Sequence, residues 1–260
     1  MRLFALGDTH LPSTRAKDMH RFGWTDHPAP LAAAWDATVR DGDLVVLVGD
    51  LSWATRPHEA LGDLAWIHDR PGQKVLVRGN HDFWWGDSAT RLRALLADFP
   101  SIVGFLHNCA VQVGPYLIAG SRLWTAPEAP RLPTGGALGD EPTDDRYVTR
   151  ELRRLRASIA DADRLERQAT RPLVRIAAVH FPPLYANGRS TVFSDAVEAW
   201  SPKHCIYGHL HGPGIGAGFT GSRNGVDYAL VSCDAVGFTP VLIAEADDAT
   251  AKLPGVVAPE

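Results

Sequence analysis

Val75-Leu76-Val77-Arg78-Gly79-Asn80-His81-Asp82 reads as a buried strand that stops abruptly on a cluster of polar side chains. Consecutive aliphatic residues suit a strand covered on both faces. The glycine then lets the chain turn, and an amide, an imidazole and a carboxylate follow at once. The same design recurs along the chain. Phe4-Ala5-Leu6 runs into Gly7-Asp8-Thr9-His10, and Val46-Leu47-Val48 into Gly49-Asp50. Ala177-Ala178-Val179 delivers His180, and Cys205-Ile206-Tyr207 delivers Gly208-His209-Leu210-His211. Ligands of an α/β sheet bind in the crevice beyond the carboxyl ends of its strands, so such ends can converge on one spot.

Further apolar runs at Tyr116 to Ala119, Tyr228 to Ser232 and Val241 to Ala244 also read as strands. Helical spacings lie between the early strands: Leu31, Trp35 and Val39; then Leu61, Leu64, Ala65 and His68; then Leu92, Leu95, Leu96 and Phe99. The first half therefore alternates β and α, while from about Pro172 the pattern is mostly strand with glycine-rich turns. The expected architecture is a four-layer αββα sandwich, two mixed sheets face to face with helices outside, in one domain over residues 1–260. Residues 125–145, rich in proline, glycine and acids, read as an exposed excursion. Val148, Leu152, Leu155, Ile159 and Ala162 follow at spacings of three and four, an amphipathic helix expected to cap one edge of the molecule. Excursion and helix together make an insertion at about 125–170, read either as a lid over the site or as a surface addition with no part in the chemistry.

Composition narrows the function classes. A hydrophobic fraction of 45% and a charged fraction of 22% are those of a globular chain with a real core. The formal charge of -4 offers no general basic field, which argues against long nucleic acid as a partner. Cys109, Cys205 and Cys233 form no C-x-x-C pair and read as reduced, buried thiols. The run from Leu3 to Leu6 is too short for a secretory signal, and no segment approaches the about 18 apolar residues of a membrane span. A cytoplasmic enzyme with no membrane contact is the expectation.

The chemistry sits at the strand ends. Asp8 and His10 are two residues apart, as are His209 and His211, so in an extended segment each pair points to one side. Carboxylate, amide oxygen and imidazole in one cluster suit manganese, iron, zinc or cobalt rather than calcium or a thiolate-bound ion. Taken singly the pieces are common: a Gly-Asp turn occurs everywhere, and an isolated histidine such as His180 is more often packed in a core than bound to metal. His20, His27, His58, His68, His107 and His204 lack the strand-end context and read as surface or packing residues. Phe83, Trp84 and Trp85 suit either a pocket wall or the core. Arg122 and Trp124, where a strand leaves toward the excursion, are candidates for phosphate and leaving-group contact. Asp82 would orient His81 or cap the next helix.

In order, these segments resemble the signature of the calcineurin-like metallophosphoesterase superfamily: D-x-H, GD, GNH[DE], a lone H, then GHxH. The likeness runs from residue 3 to about 244. The stretch from Lys17 to Trp24 also resembles a bacterial subgroup of predicted phosphohydrolases. The resemblance implies two metal ions, divalent or trivalent, with Mn2+ leading and Fe, Zn or Co as alternatives. One would be held by Asp8, His10, Asp50 and His211, the other by Asp50, Asn80, His180 and His209. His81 would serve as the acid for the leaving group. Protein serine/threonine phosphatases of this type carry GDxxDRG, whereas Gly49-Asp50-Leu51-Ser52-Trp53-Ala54 lacks that aspartate and arginine. The expected substrate is therefore a small phosphodiester, nucleotide-like, with a small phosphomonoester as the alternative and a scaffold without turnover as the more distant one.

Overall fold

A computed structural model describes residues 1–12, 19, 23–130 and 144–246. The first half alternates as its pattern predicts: β1 (Arg2–Leu6), α1 (Pro28–Thr38), β2 (Leu44–Leu47), α2 (Leu61–His68), β3 (Gln73–Val77), α3 (Ala89–Leu96) and β4 (Ile102–Leu106). The second half holds β5 (Val111–Val113), β6 (Tyr116–Ala119), α4 (Asp145–Gln168), β7 (Val174–Ala178) and α5 (Val192–Trp200). It continues with β8 (His204–Tyr207), β9 (Gly221–Arg223), β10 (Val226–Leu230) and β11 (Val241–Glu245).

Among the described residues the strands make two mixed sheets, in the orders β11-β1-β2-β3-β4 and β5-β6-β7-β8-β10-β9. β11, β5 and β9 run antiparallel to their neighbours, while the strands between them are parallel. Parallel strands need both faces covered, and alternation along each strand supplies two apolar faces. Leu3, Ala5, Val46 and Val75 meet Ile118, Ile176 and Ile206 between the sheets. Phe4, Leu6, Val45 and Leu76 point the other way, onto Leu31, Trp35, Leu64 and Leu92 of α1 to α3. Helices α4 and α5 cover the far face of the second sheet through Val148, Leu155, Phe193 and Val197, which completes the αββα order.

Register places the strand ends together. Leu6 pairs with Leu47 and Leu47 with Leu76, so the loops after β1, β2 and β3 leave one rim at one level. Ala178 pairs with Ile206 in the second sheet in the same way. The two rims are joined directly, because Gly7 N–H donates to Val231 O at 2.7 Å just past β10.

Helix α4 lies across the second sheet's outer face instead of capping an edge. Its stripe is finished by Ala162 and Ser158, both fully buried, and Ser158 Oγ accepts from Gly120 N at 2.9 Å. Its half of the expected lid is therefore part of the sandwich, and residues 131–143 lie outside the described residues. The strand-rich second half also contains α5, capped by Thr191 through bonds from Phe193 N and Ser194 N. No helix among the described residues is long and apolar enough to cross a membrane. The three cysteines are free, Cys205 and Cys233 buried and Cys109 half-buried.

Candidate metal centre

Loops from both sheets bring the eight named side chains to one place. Asp8, His10, Asp50, Asn80, His180, His209 and His211 are each at most 8% exposed. His81 is more open, with its side chain 33% exposed. Three overlapping groups have ligand atoms within 4.8 Å of one another: Asp8, His10 and His211; His10, Asp50 and His81; and Asp8, Asp50 and His180.

The first-sheet loops are not the extended segments that the two-residue spacing suggested. Asp8, His10 and Asp50 adopt φ of 59°, 42° and 51°, in the left-handed region that non-glycine residues seldom enter. The loops hold this geometry by pairing: Asp8 N donates to Gly49 O at 2.8 Å, and His10 N to Asp50 O at 2.9 Å. The neighbouring glycines serve close approach as much as turning. A Cβ on Gly79 would overlap the Asp50 carboxylate, and one on Gly208 would overlap that of Asp8.

Asp50 lies at the middle. Its Oδ1 is 3.5 Å from His180 Nε2, and its Oδ2 is 3.7 Å from His10 Nε2 and 2.7 Å from His81 Nδ1. Burial works against its charge, but His180 and His81 outweigh burial and hold the carboxyl well below its usual range. Asn80 Oδ1 stands 2.7 Å from His180 Nε2 and 3.1 Å from His209 Nδ1. His180 donates Nδ1–H to Val48 O at 2.8 Å, which turns Nε2 inward. His211 faces Asp8 with Nε2 at 3.2 Å and Asp234 with Nδ1 at 2.9 Å. Burial opposes charge on His211, but Asp8 and Asp234 overcome it and push its pKa up to about 10.

Asp82 neither caps the short helical turn at Phe83–Trp85 nor is spent on His81. Its Oδ1 accepts from Leu51 N and Trp84 Nε1, both at 2.9 Å, and its Oδ2 from Gly79 N at 2.8 Å. It ties the loop after β2 to the loop after β3. Burial, helped by nearby Asp50, pushes its pKa up to about 6. The aromatic run divides: Trp84 and Trp85 are core, while Phe83 is 52% exposed with its ring 6.4 Å from that of His81.

Asp234 escaped the sequence reading, although it follows the apolar run of β10 as the other site residues follow theirs. It accepts from Gly212 N at 2.8 Å as well as facing His211, and so fixes which nitrogen of that ring points inward. Trp53, stacked on His10 with centroids 4.3 Å apart, was also missed. Of the remaining histidines, His27 faces Thr9 O, His68 bonds Ser101, His107 accepts from Trp85, His204 lies 3.8 Å from Asp227 and His58 is exposed. These fit packing and surface roles; His20 lies outside the described residues. Arg122 turns to Glu151 at 3.1 Å, and Trp124 stacks on Tyr147 with centroids 4.7 Å apart.

The donor set fits a cation. Burial holds His10 and His209 well below the usual imidazole range, so each is neutral with a lone pair to offer. His10 Nδ1 is buried without a hydrogen-bond partner among the described residues.

The model of the calcineurin-like phosphoesterase family matches residues 1–213. The chain belongs to that family, whose members are metal-dependent hydrolases of phosphoric esters. Of curated relatives, "Gene 66 protein" of Mycobacterium phage L5 is 46% identical over 57 residues, which is 22% of this chain and 27% of that protein. "Gene 66 protein" of Mycobacterium phage D29 is 37% identical over 76 residues, 29% of this chain and 37% of that protein. The chain thus matches well under half the length of either relative. In fold it is similar to the crystal structure of a phosphopantetheinyl hydrolase from Mycobacterium tuberculosis, with a TM-score of 0.53, 17% identity and 98% of each chain covered.

Proposed function

We propose that this chain is a metal-dependent phosphoesterase that hydrolyses small, nucleotide-like phosphodiesters at a dinuclear centre. Asp8, His10, Asp50 and His211 would hold one ion, and Asp50, Asn80, His180 and His209 the other, with Mn2+ the first choice among Mn, Fe, Zn and Co. The observation that carries this reading is the placement of Asp50, whose two oxygens face His180 on one side and His10 on the other. That placement supports Asp50 as the shared ligand.

Two ions so held supply Lewis-acid polarisation of the phosphoryl oxygens and a water of lowered pKa. The protein's own groups do the rest. His81, the most open of the eight, would give a proton to the leaving oxygen, with Asn80 and Asp50 beside its ring. Phe83 borders the approach beside it. Trp53 and Ala54 stand where the protein phosphatases carry their aspartate and phosphate-binding arginine, which favours a monoanionic diester.

The test compares bis(p-nitrophenyl) phosphate with p-nitrophenyl phosphate, adding a phosphopantetheinyl ester to the panel and varying the metal. A kcat/KM higher for the diester, dependent on added Mn2+, supports the reading. A strong preference for the monoester assigns the site to phosphomonoesters, and no hydrolysis with metal bound assigns it to a scaffold.

A further inference from the structure

Four guanidiniums gather at the rim beside the centre. Arg78 precedes Gly79 and Asn80 at the end of β3, and Arg122 follows β6. Arg150 and Arg154 come from α4. Glu151 is fully buried beneath them, and its Oε1 alone receives Arg122 at 3.1 Å, Arg154 at 3.0 Å and Arg150 at 3.3 Å. Arg78 is paired with the exposed Asp87 at 3.2 Å, and Arg154 lies 3.7 Å from the same carboxylate. Four positive groups thus share two carboxylates, one of them in solvent.

A structural clamp that ties α4 to the rim needs one arginine, not four, since like charges packed around one acid repel. Burial, despite Glu151 and reinforced by Arg78, Arg150 and Arg154, lowers the pKa of Arg122. Arg78 Nε and Arg122 Nε are buried with no hydrogen-bond partner among the described residues. Donor capacity and charge both remain in excess.

The cluster also adjoins the centre. Arg122 O accepts from Phe181 N at 2.9 Å, next to His180, and the Phe181 ring stacks on His209 with centroids 3.9 Å apart. Trp124 joins the two, 5.2 Å from Phe181 and 4.9 Å beneath the Arg122 guanidinium. Beyond it an open depression of about 280 Å³ is lined by Arg146, Tyr147 and Arg150, with Tyr147 38% exposed and the Arg150 guanidinium 4.6 Å from its ring. Guanidiniums beside an exposed tyrosine suit a phosphate carried on a nucleotide-sized group.

We propose that Arg78, Arg122, Arg150 and Arg154 form an anion subsite that takes a second phosphate of a nucleotide-sized substrate, beside the one that is hydrolysed. The inference rests on the phosphoesterase reading and adds to it a substrate class: nucleotides with two phosphates. Charge-assisted bonds to phosphate are strong, and near a surface they weaken with salt.

The experiment measures calorimetric Kd values on the Mn2+-loaded protein for AMP, adenosine 3′,5′-bisphosphate and the methylene analogue of ADP. Either doubly phosphorylated ligand should bind roughly tenfold tighter than AMP, and the gap should narrow as salt rises. In Arg150→Gln/Arg154→Gln the ratio should fall toward one. Arg150→Gln alone, at the most exposed of the four, provides the same readout in milder form if the double variant unfolds. No preference over AMP, or a preference that survives in folded variants, overturns the subsite. A preference without hydrolysis of any diester keeps the subsite and removes the phosphodiesterase reading, and hydrolysis without preference does the reverse.

Discussion

The loops that leave the first sheet hold Asp8, His10 and Asp50 in left-handed backbone conformations, braced by one another and by Asp82. Those that leave the second sheet put His209 alone of their site residues in that region, with φ of 74°, and aim two rings from behind, His180 through Val48 O and His211 through Asp234. The contrast is clearest between the two aspartates and the two aimed rings, since His10 and His209 share the left-handed backbone. A short aspartate has little reach, so the main chain itself must carry its oxygens to the spot. An imidazole has reach and two distinct nitrogens, so what it needs is a partner that selects one of them.

The largest effect should come from Asp50, which faces His10 from the first sheet and His180 from the second. Asp50→Asn should lose both metal equivalents together with activity, read as metal content after dialysis. Two equivalents retained at unchanged affinity would show that the halves bind independently.

His81→Ala separates chemistry from assembly. It should keep its metal and lose roughly a hundred- to ten-thousand-fold in kcat, with a smaller loss when the leaving group is nitrophenolate. An equal loss for every leaving group would remove His81 from the acid role.

Asp234→Asn tests the second sheet's way of aiming a ring. Loss of such an orienting acceptor weakens metal binding by about 10- to 100-fold, and the metal-free protein should also melt lower because it loses the His211–Asp234 pair. Unchanged affinity in a metal titration would mean that Asp8 alone sets the ring, and the contrast between the sheets would fail at this residue. The smallest effect belongs to Phe83→Ala, which should raise KM several-fold with kcat and melting unaffected, because that ring is exposed beside His81. A change in kcat instead would give Phe83 a part in positioning His81.

The ends of the strands were legible in the sequence because a run such as Val46-Leu47-Val48 has no polar residue until the one that matters. The backbone strain was not, since nothing in the spacing of Asp8 and His10 distinguishes an extended pair from one held in left-handed turns. Helix α4 misled for a related reason. Its buried face carries Glu151 and Ser158, polar residues that a hydrophobic stripe assigns to solvent, and partners from another layer, Arg122, Gly120 and Cys109, help make their burial acceptable. Helix α5 had a readable signal in Thr191 followed by Phe193, Val197 and Trp200, hidden by the surrounding strands and turns. Asp82 kept its function out of reach because the partners by which it ties the two loops, Leu51 N and Gly79 N, are main-chain atoms that carry no side-chain signature.

The hydrogen bond from His209 N to Asp8 Oδ1 joins positions 201 residues apart. A nascent chain carries Asp8, His10, Asp50 and Asn80 long before β8 exists to complete the constellation. Pairings this distant in sequence form late, and the entropy of closing such a loop is recovered only once the last strands dock. Assembly of the centre is thus a checkpoint on finished folding. Any ion that binds the completed arrangement and not the earlier ones acts as a latch, holding the first strand and the eighth together by mass action.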